Sequence, residues 1–409
     1  MKHINLLNSL VLSVMIVMAG CQKNEKPYRT GKAIRVDVSA VDTRSASVTT
    51  ADLRTAHQFV LDAYVADDYE VADGDGEITT VPGGQYIASG GQYNVFYSAT
   101  GHEYVRDEDS CRTDGWYIYD TKGYEAYDWL LGNKTSFWCR YPSDAELSTS
   151  AKGIRTITSS PTKDGVIMTF SYVMPDASAS EPYNDATNQT DMLFAYAQRT
   201  FDGTSNLVDI NFNHPLSKIC FCVSPDDGSF DVTLTIKDIS ISGMPKSGNC
   251  VFTGTGLISK DPACDTPMFK WSDQSGSETY TQTYDVSFAG SGAPAGWNDN
   301  NRYKPQSDSK DYNVYYAPDD TDKEHPFRKY TCENAFMMIP HTLNGAVMTV
   351  TFGNTGTGDD ITVSVNLPED TWYPGYYYCY KISATTIGRT ISMAISLVDW
   401  DNYDDKLFF

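Results

Sequence analysis

The chain has 409 residues, with 53 acidic against 31 basic side chains and a formal net charge of −22. So acidic a surface repels phosphate backbones and anionic headgroups, which excludes nucleic acid as a partner and leaves no basic patch to hold a membrane. With 28 Tyr and 30 Gly, and Ser, Thr and Asp crowding the connecting stretches, the composition suits short strands joined by many turns.

Lys2 and His3 open the chain, and an apolar run follows over residues 6–18. That is signal-peptide length, too short to span a bilayer as a mature helix. The run ends in Met18-Ala19-Gly20-Cys21, which resembles a bacterial lipobox. Small residues fit a signal peptidase's groove, and the cysteine sulfur takes a diacylglyceryl group. Residues 1–20 are therefore expected to be removed, leaving Cys21 as a lipidated first residue. The polar stretch 22–26 would hold a folded body off the membrane. No later apolar run reaches the ~18 residues of a spanning helix.

Eight cysteines remain beyond Cys21. An even number in an exported chain permits disulfides, but spacing does not fix their pairing. Cys220 and Cys222 alternate on an expected strand and share a face, so they are poorly placed to bond each other. No Cys or His cluster has zinc spacing, and no cofactor is expected.

Residues 33–41 alternate, with Ile34, Val36, Val38 and Ala40 pointing one way, as in a half-buried strand. The polar segment 42–47, containing Arg44 and Ser45, follows. Further strands are expected at 59–65, 79–81, 92–97, 115–119, 136–140, 166–172 and 191–197. Residues 125–131 are the one helix-like segment, with Ala126, Trp129 and Leu130 on a shared face. The chain then reads as a strand, a tight joint at His214-Pro215, and a second strand through Val223. More strands are expected near 232–241, 258–260, 280–288, 335–339, 347–352, 361–365 and 376–383, with 289–328 as loops. A last alternating strand, Ile391, Met393, Ile395 and Leu397, leads to Asp399-Trp400. The pattern is all-β and favours two β-sandwiches in tandem, residues 45–205 and 206–409, after a removable segment 21–44.

Four features together resemble the fimbrillin family of Bacteroidia, whose members are subunits of protease-assembled pili. They are the lipobox at Cys21, the strand 33–41 followed by Thr43-Arg44, Asp191-Met192-Leu193 with the later Phe212-Asn213-His214-Pro215-Leu216-Ser217-Lys218-Ile219, and the closing strand on Asp399-Trp400. The resemblance implies two transthyretin-like sandwiches and a structural or adhesive role, not catalysis. It implies as partners other pilus subunits, an arginine-specific protease cutting between Arg44 and Ser45, the outer membrane through the lipid, and a host or bacterial surface ligand. Pattern alone leaves the first and last strands pairing at home. The resemblance instead implies that Ile34, Val36 and Val38 are displaced and that Ile391, Met393, Ile395 and Leu397 are donated to a neighbour, a form of β-augmentation. The alternative is a lipid-anchored glycan-binding protein that does not polymerise.

Other motifs are weaker. Asp73-Gly74-Asp75-Gly76-Glu77 lacks full calcium-loop spacing and reads as an acidic turn. His57, His102, His214, His325 and His341 are scattered, and His214 reads as a structural histidine. No nucleophile elbow or phosphate loop occurs. The lipobox carries one direct expectation: Cys21→Ser abolishes incorporation of radiolabelled palmitate, and equal labelling of the variant would overturn the assignment.

Overall fold

The computed structural model describes residues 29–40, 58–65, 69–72, 78–81, 84–87, 95–98, 115–118, 128–130, 134–150, 152–160, 167–175, 190–225, 234–261, 263–288, 314–316, 336–354, 358–387 and 390–398. Among them there is no helix, and the all-β class expected from the sequence is what forms. From the N-terminus the strands are β1 (Arg29–Ala33), β2 (Arg35–Ala40), β3 (Gln58–Val65), β4 (Tyr69–Ala72), β5 (Ile78–Val81), β6 (Gly84–Ile87), β7 (Val95–Ser98), β8 (Gly115–Ile118) and β9 (Asp128–Leu130). There follow β10 (Lys134–Tyr141), β11 (Ser148–Thr149), β12 (Gly153–Ser159), β13 (Met168–Val173), β14 (Leu193–Thr200), β15 (Leu207–Phe212) and β16 (Ser217–Pro225). Next come β17 (Leu234–Met244), β18 (Ser247–Phe252), β19 (Phe269–Ser275), β20 (Glu278–Phe288) and β21 (Val314–Tyr316). The last are β22 (Phe336–Met338), β23 (Val347–Asn354), β24 (Asp360–Asn366), β25 (Tyr377–Ile387) and β26 (Thr390–Val398).

The first large sheet runs β14-β10-β3-β7-β8-β2-β15, with β6 also on β3. Its strands β3 and β10, and the first three residues of β14, are buried on both faces, which explains their near-continuous apolar runs. On β10, Phe137 and Cys139 join one core with Leu61, Leu193 and Ile210, while Trp138 joins another with Phe170, Phe194 and Phe252. That second core continues through Ile236, Met348, Trp372 and Tyr380. A second sheet, β11-β12-β13-β18-β19, takes strands from both sides of residue 205. Two more sheets close the chain: β21-β16-β25-β26 with β22 on β16, and β20-β17-β23-β24.

Two charges inside the apolar runs need partners, because an unpaired buried ion is costly. Asp62 on β3 and Arg140 on β10 meet at 2.6 Å, both nearly sealed from water. Arg140 also reaches Asp144 at 2.9 Å, and Arg155, from β12 in the second sheet, reaches the same carboxylate at 2.8 Å. Arg155 donates further to the carbonyls of Tyr141 and Pro142. Burial pushes its guanidinium down to about 10, which leaves it cationic at neutral pH. The two arginines thus pin the first sheet to the second through one carboxylate.

Edge strand β19 is shaped by a left-handed residue, Asp273 at φ 51°. The register with β18 slips there, between the pairs Ser247–Ser275 and Asn249–Ser272. Aspartate tolerates that conformation because its short polar chain bonds locally. Here its carboxylate accepts from the Asn249 amide at 3.0 Å and the Ser272 hydroxyl at 3.3 Å. An extra residue of this kind twists an edge out of line for further pairing.

Three expectations are corrected. Residues 128–130 are strand rather than helix: Trp129 is fully buried and its backbone segment pairs with β1. Residues 258–260 form no strand. Lys260 instead sets its ammonium over the Tyr376 ring at 4.8 Å and the Tyr378 ring at 5.6 Å, so the segment folds across an aromatic surface. The stretch 289–328, expected as loops, contains β21, which pairs in parallel with Phe221 to Val223 of β16.

The ion network yields a stability expectation. Asp62→Ala leaves Arg140 buried with Asp144 as the remaining carboxylate of the network, which should cost about 3 kcal/mol. The urea midpoint should fall accordingly with an unchanged m-value. A loss under about 1 kcal/mol would mean that water reaches the site.

Candidate functional site

The first described segment makes two different pairings. Strand β1 lies antiparallel to β9, with Arg29 opposite Leu130 and Ala33 opposite Asp128. At Ile34 the chain leaves β9, and β2 then runs parallel to β15 from Arg35 opposite Leu207 to Ala40 opposite Phe212. Its first two residues also pair antiparallel with β8. Ile34 and Val36 are 1% and 2% exposed, as an alternating strand with one apolar face requires. Val38 stands opposite Ile210 in the ladder.

What β2 covers is apolar. On β15 the inward residues Val208, Ile210 and Phe212 are buried, while Asp209 and Asn211 face out. Phe59 meets Phe212 edge to face at 5.3 Å. At the corner, the Asn206 carbonyl accepts the Arg35 backbone N–H and the Trp129 indole N–H, each at 3.0 Å. Trp129 stacks on Phe201 at 5.4 Å and meets Phe137 edge-on at 5.7 Å. Residues 35–40 thus fill a slot between β8 and β15, beside apolar inward side chains and with one fixed corner at residue 206.

The last described strand, β26, pairs antiparallel with β25 and ends its sheet. Ile391, Met393, Ile395 and Leu397 stand opposite Thr386, Ala384, Ile382 and Tyr380. β26 also lies against β24, the edge strand of the facing sheet. In the single chain, then, β26 is at home in its own sheet. Cys21, Arg44, Ser45, Asp399 and Trp400 lie outside the described residues, as do residues 73–77, His57, His102 and His325. Arg29 and Arg35, two arginines that precede Arg44, lie within paired strands.

The motif residues 191–193 and 212–219 come together as a joint. Asp191 Oδ2 lies 2.8 Å from His214 Nδ1, with the histidine 5% exposed. Asp191 Oδ1 accepts the Met192 N–H at 2.8 Å. Phe194 and Asn213 exchange backbone hydrogen bonds, the Trp271 indole donates to the Pro215 carbonyl at 2.8 Å, and the Ser217 hydroxyl donates to the Tyr373 carbonyl at 2.8 Å. Apart from the Asp191–His214 side-chain pair, each of these bonds fixes backbone, so the motif holds strands together. His341 donates from Nδ1 to the Ile339 carbonyl at 2.8 Å, and burial holds it below the ordinary histidine value. Among the described residues no group of His, Cys, Asp or Glu could hold a metal, and no helix is long and apolar enough to cross a membrane.

The sequence reading missed the corner and the ion network. For the network the signal was present: Asp62 and Arg140 each interrupt a run of buried residues, which calls for a partner. For the corner there was none, since Asn206 contributes only its carbonyl.

No curated protein sequence matches this chain. Among solved structures, a fimbrial protein from Bacteroides vulgatus is 14% identical with a TM-score of 0.43, covering 90% of this chain and 100% of that one. A candidate cell adhesion protein from Bacteroides uniformis is 14% identical at 0.37, over 90% of this chain and 99% of that one. A candidate polysaccharide-binding protein from Bacteroides thetaiotaomicron is 10% identical at 0.27, over 90% and 98%. The profile of the fimbrillin-like family matches residues 160–400, more than half the chain and inclusive of the joint and of β26. The chain belongs to the fimbrillin-like family.

Proposed function

We propose that this chain is a structural, adhesive subunit of a cell-surface fimbria. It is exported as a lipoprotein on Cys21, cut after Arg44, and joined to its neighbours by strand exchange. One observation carries the reading: an N-terminal strand fills an apolar slot on β15, and a strand of like alternation sits at a sheet edge at the other end of the chain. The role is assembly, not catalysis.

Loss of residues 21–44 takes Ile34 and Val36 out of the cluster with Val208, Ile210 and Phe212 and leaves the ladder of β15 without its partner. Both deficits are met by an incoming strand, whose main chain supplies hydrogen bonds and whose alternate side chains fill the floor. If four apolar side chains bury at about 1.5–3 kcal/mol each, the gross gain is about 6–12 kcal/mol. Ordering and association costs come off that figure. Residues 391, 393, 395 and 397 supply the four side chains, and β26 gives up pairing with a single neighbour, β25, to do so. The acidic run Asp399, Asp401, Asp404 and Asp405 keeps free donors apart by like-charge repulsion.

A lipid tie and a place in a growing fibre are incompatible, so the tie must be cut. A protease needs extended, unpaired backbone. Arg35 lies inside β2, and a cut at Arg29 would leave β2 in the slot. Arg44 follows the strand and frees all of it.

Surface-released protein should begin at Ser45 on N-terminal sequencing. A Cys21 start in polymerised material would contradict the cut. Ile395→Asp should leave a folded monomer by circular dichroism yet abolish ladders on a mildly denaturing gel, because a carboxylate cannot enter an apolar slot cheaply. Normal ladders would place the donor elsewhere, and an unfolded variant would assign the strand to its home sheet.

A further inference from the structure

We propose that Cys220 and Cys379 form a disulfide that fastens β25 to β16. The two strands run parallel, and Cys220 stands directly opposite Cys379 in their ladder. Neighbouring strands lie about 4.8 Å apart, inside the Cα separation of about 4.4–6.8 Å that a disulfide takes. In-register neighbours also share a face. Ile219, Tyr378 and Tyr380 all lie in the core at 2% exposure or less, so the period of two puts Cys220 and Cys379 together on the opposite face of the sheet.

Position excludes the rival pairings. Cys222 shares the face of Cys220 but stands opposite Lys381, which makes Cys379 its diagonal neighbour. Two residues along a strand add about 6.6 Å, so that diagonal is roughly 8 Å, beyond a disulfide's reach without backbone movement. Cys139 stands opposite Leu61 and Ala195 in its ladders, and Cys250 opposite Phe170 and Trp271. Both are buried free thiols, and Cys264 is free as well. Among the described residues no other two cysteines stand opposite one another.

The bond needs an oxidant, and an exported chain meets one, a thiol–disulfide exchange protein in its oxidised form. The inference rests on the export reading above for that encounter. One cysteine thiolate attacks the exchange protein's S–S bond, which breaks to leave a mixed disulfide and one thiolate on that protein. The second cysteine attacks the mixed disulfide, and the exchange protein's other sulfur leaves as the Cys220–Cys379 bond forms. Two electrons and two protons have then passed to the exchange protein, which ends as a dithiol. The product closes a loop of about 160 residues, a long constraint on the unfolded chain. β25 lies between β16 and β26, so when β26 is given to a neighbour the bond holds the side that stays.

The test takes the full chain from whole cells whose surface has been biotinylated. It is denatured in N-ethylmaleimide without reductant, and its chymotryptic peptides are mapped by mass spectrometry. Cleavage after Phe221 separates Cys220 from Cys222. The expected result is one linked pair carrying Cys220 and Cys379, lighter by two hydrogens than the two thiol peptides together. Cys222→Ser should keep the link, and Cys220→Ser should lose it and leave Cys379 labelled by the maleimide. Biotin on the same extract reports export separately. Biotinylated chain with both thiols free, or with Cys379 linked to another cysteine, would overturn the bond. A chain without biotin is treated, still folded, with oxidised glutathione before mapping. A Cys220–Cys379 link in that material would uphold the pairing and overturn the export reading, and thiols that stay free would overturn the pairing.

Discussion

The ladder between β2 and β15 joins the N-terminal segment to a strand that follows it by nearly half the chain. Much of the first core depends on it. Val208, Ile210, Phe212, Ile34 and Val36 share one apolar cluster with Leu61, Phe137 and Leu193, so the segment is part of the core and not a decoration on it. Yet no element within 206–212 is covalently near it. Loss of that segment through the cleavage proposed above would part β8 from β15 and open the core between them.

The ion network and the Asp191–His214 joint act on the opposite problem. Opening a slot between β8 and β15 would loosen the molecule if the rest of the sheet were held by apolar contacts alone. Asp62, Arg140, Asp144 and Arg155 instead clamp the two sheets on the side away from the slot. The joint at Phe194 and Asn213 secures the strand leading out of β15. Directional bonds fix position where burial only favours proximity.

Much of this was legible in the residues. Alternation at 33–41 and 391–397 marked β2 and β26, and the motif at 191–193 and 212–219 marked the joint, because each leaves a local, periodic trace. Strands β12, β18 and β19 left little: Arg155 interrupts one, and Gly248, Asn249 and Asp273 weaken the others, so their pairing is fixed by neighbours far along the chain. Trp129 was read on a helix face because its neighbours suit one, whereas pairing with β1 decides the outcome. The Asn206 corner is invisible in principle, since a backbone carbonyl carries no residue identity.

The left-handed kink at Asp273 has a consequence for the shape of anything built from this chain. Sheets grow sideways when two flat edges meet, and β19 offers a bent edge whose side chains bond among themselves. That edge is thereby turned from lateral growth, whereas the strand exchange proposed above would join the slot to the strand that fills it, two unlike surfaces on one molecule. Contacts between unlike surfaces do not close on a dimer; they repeat head to tail. Subunits joined by the strand exchange proposed above would form a filament with a direction, whose two ends are chemically different.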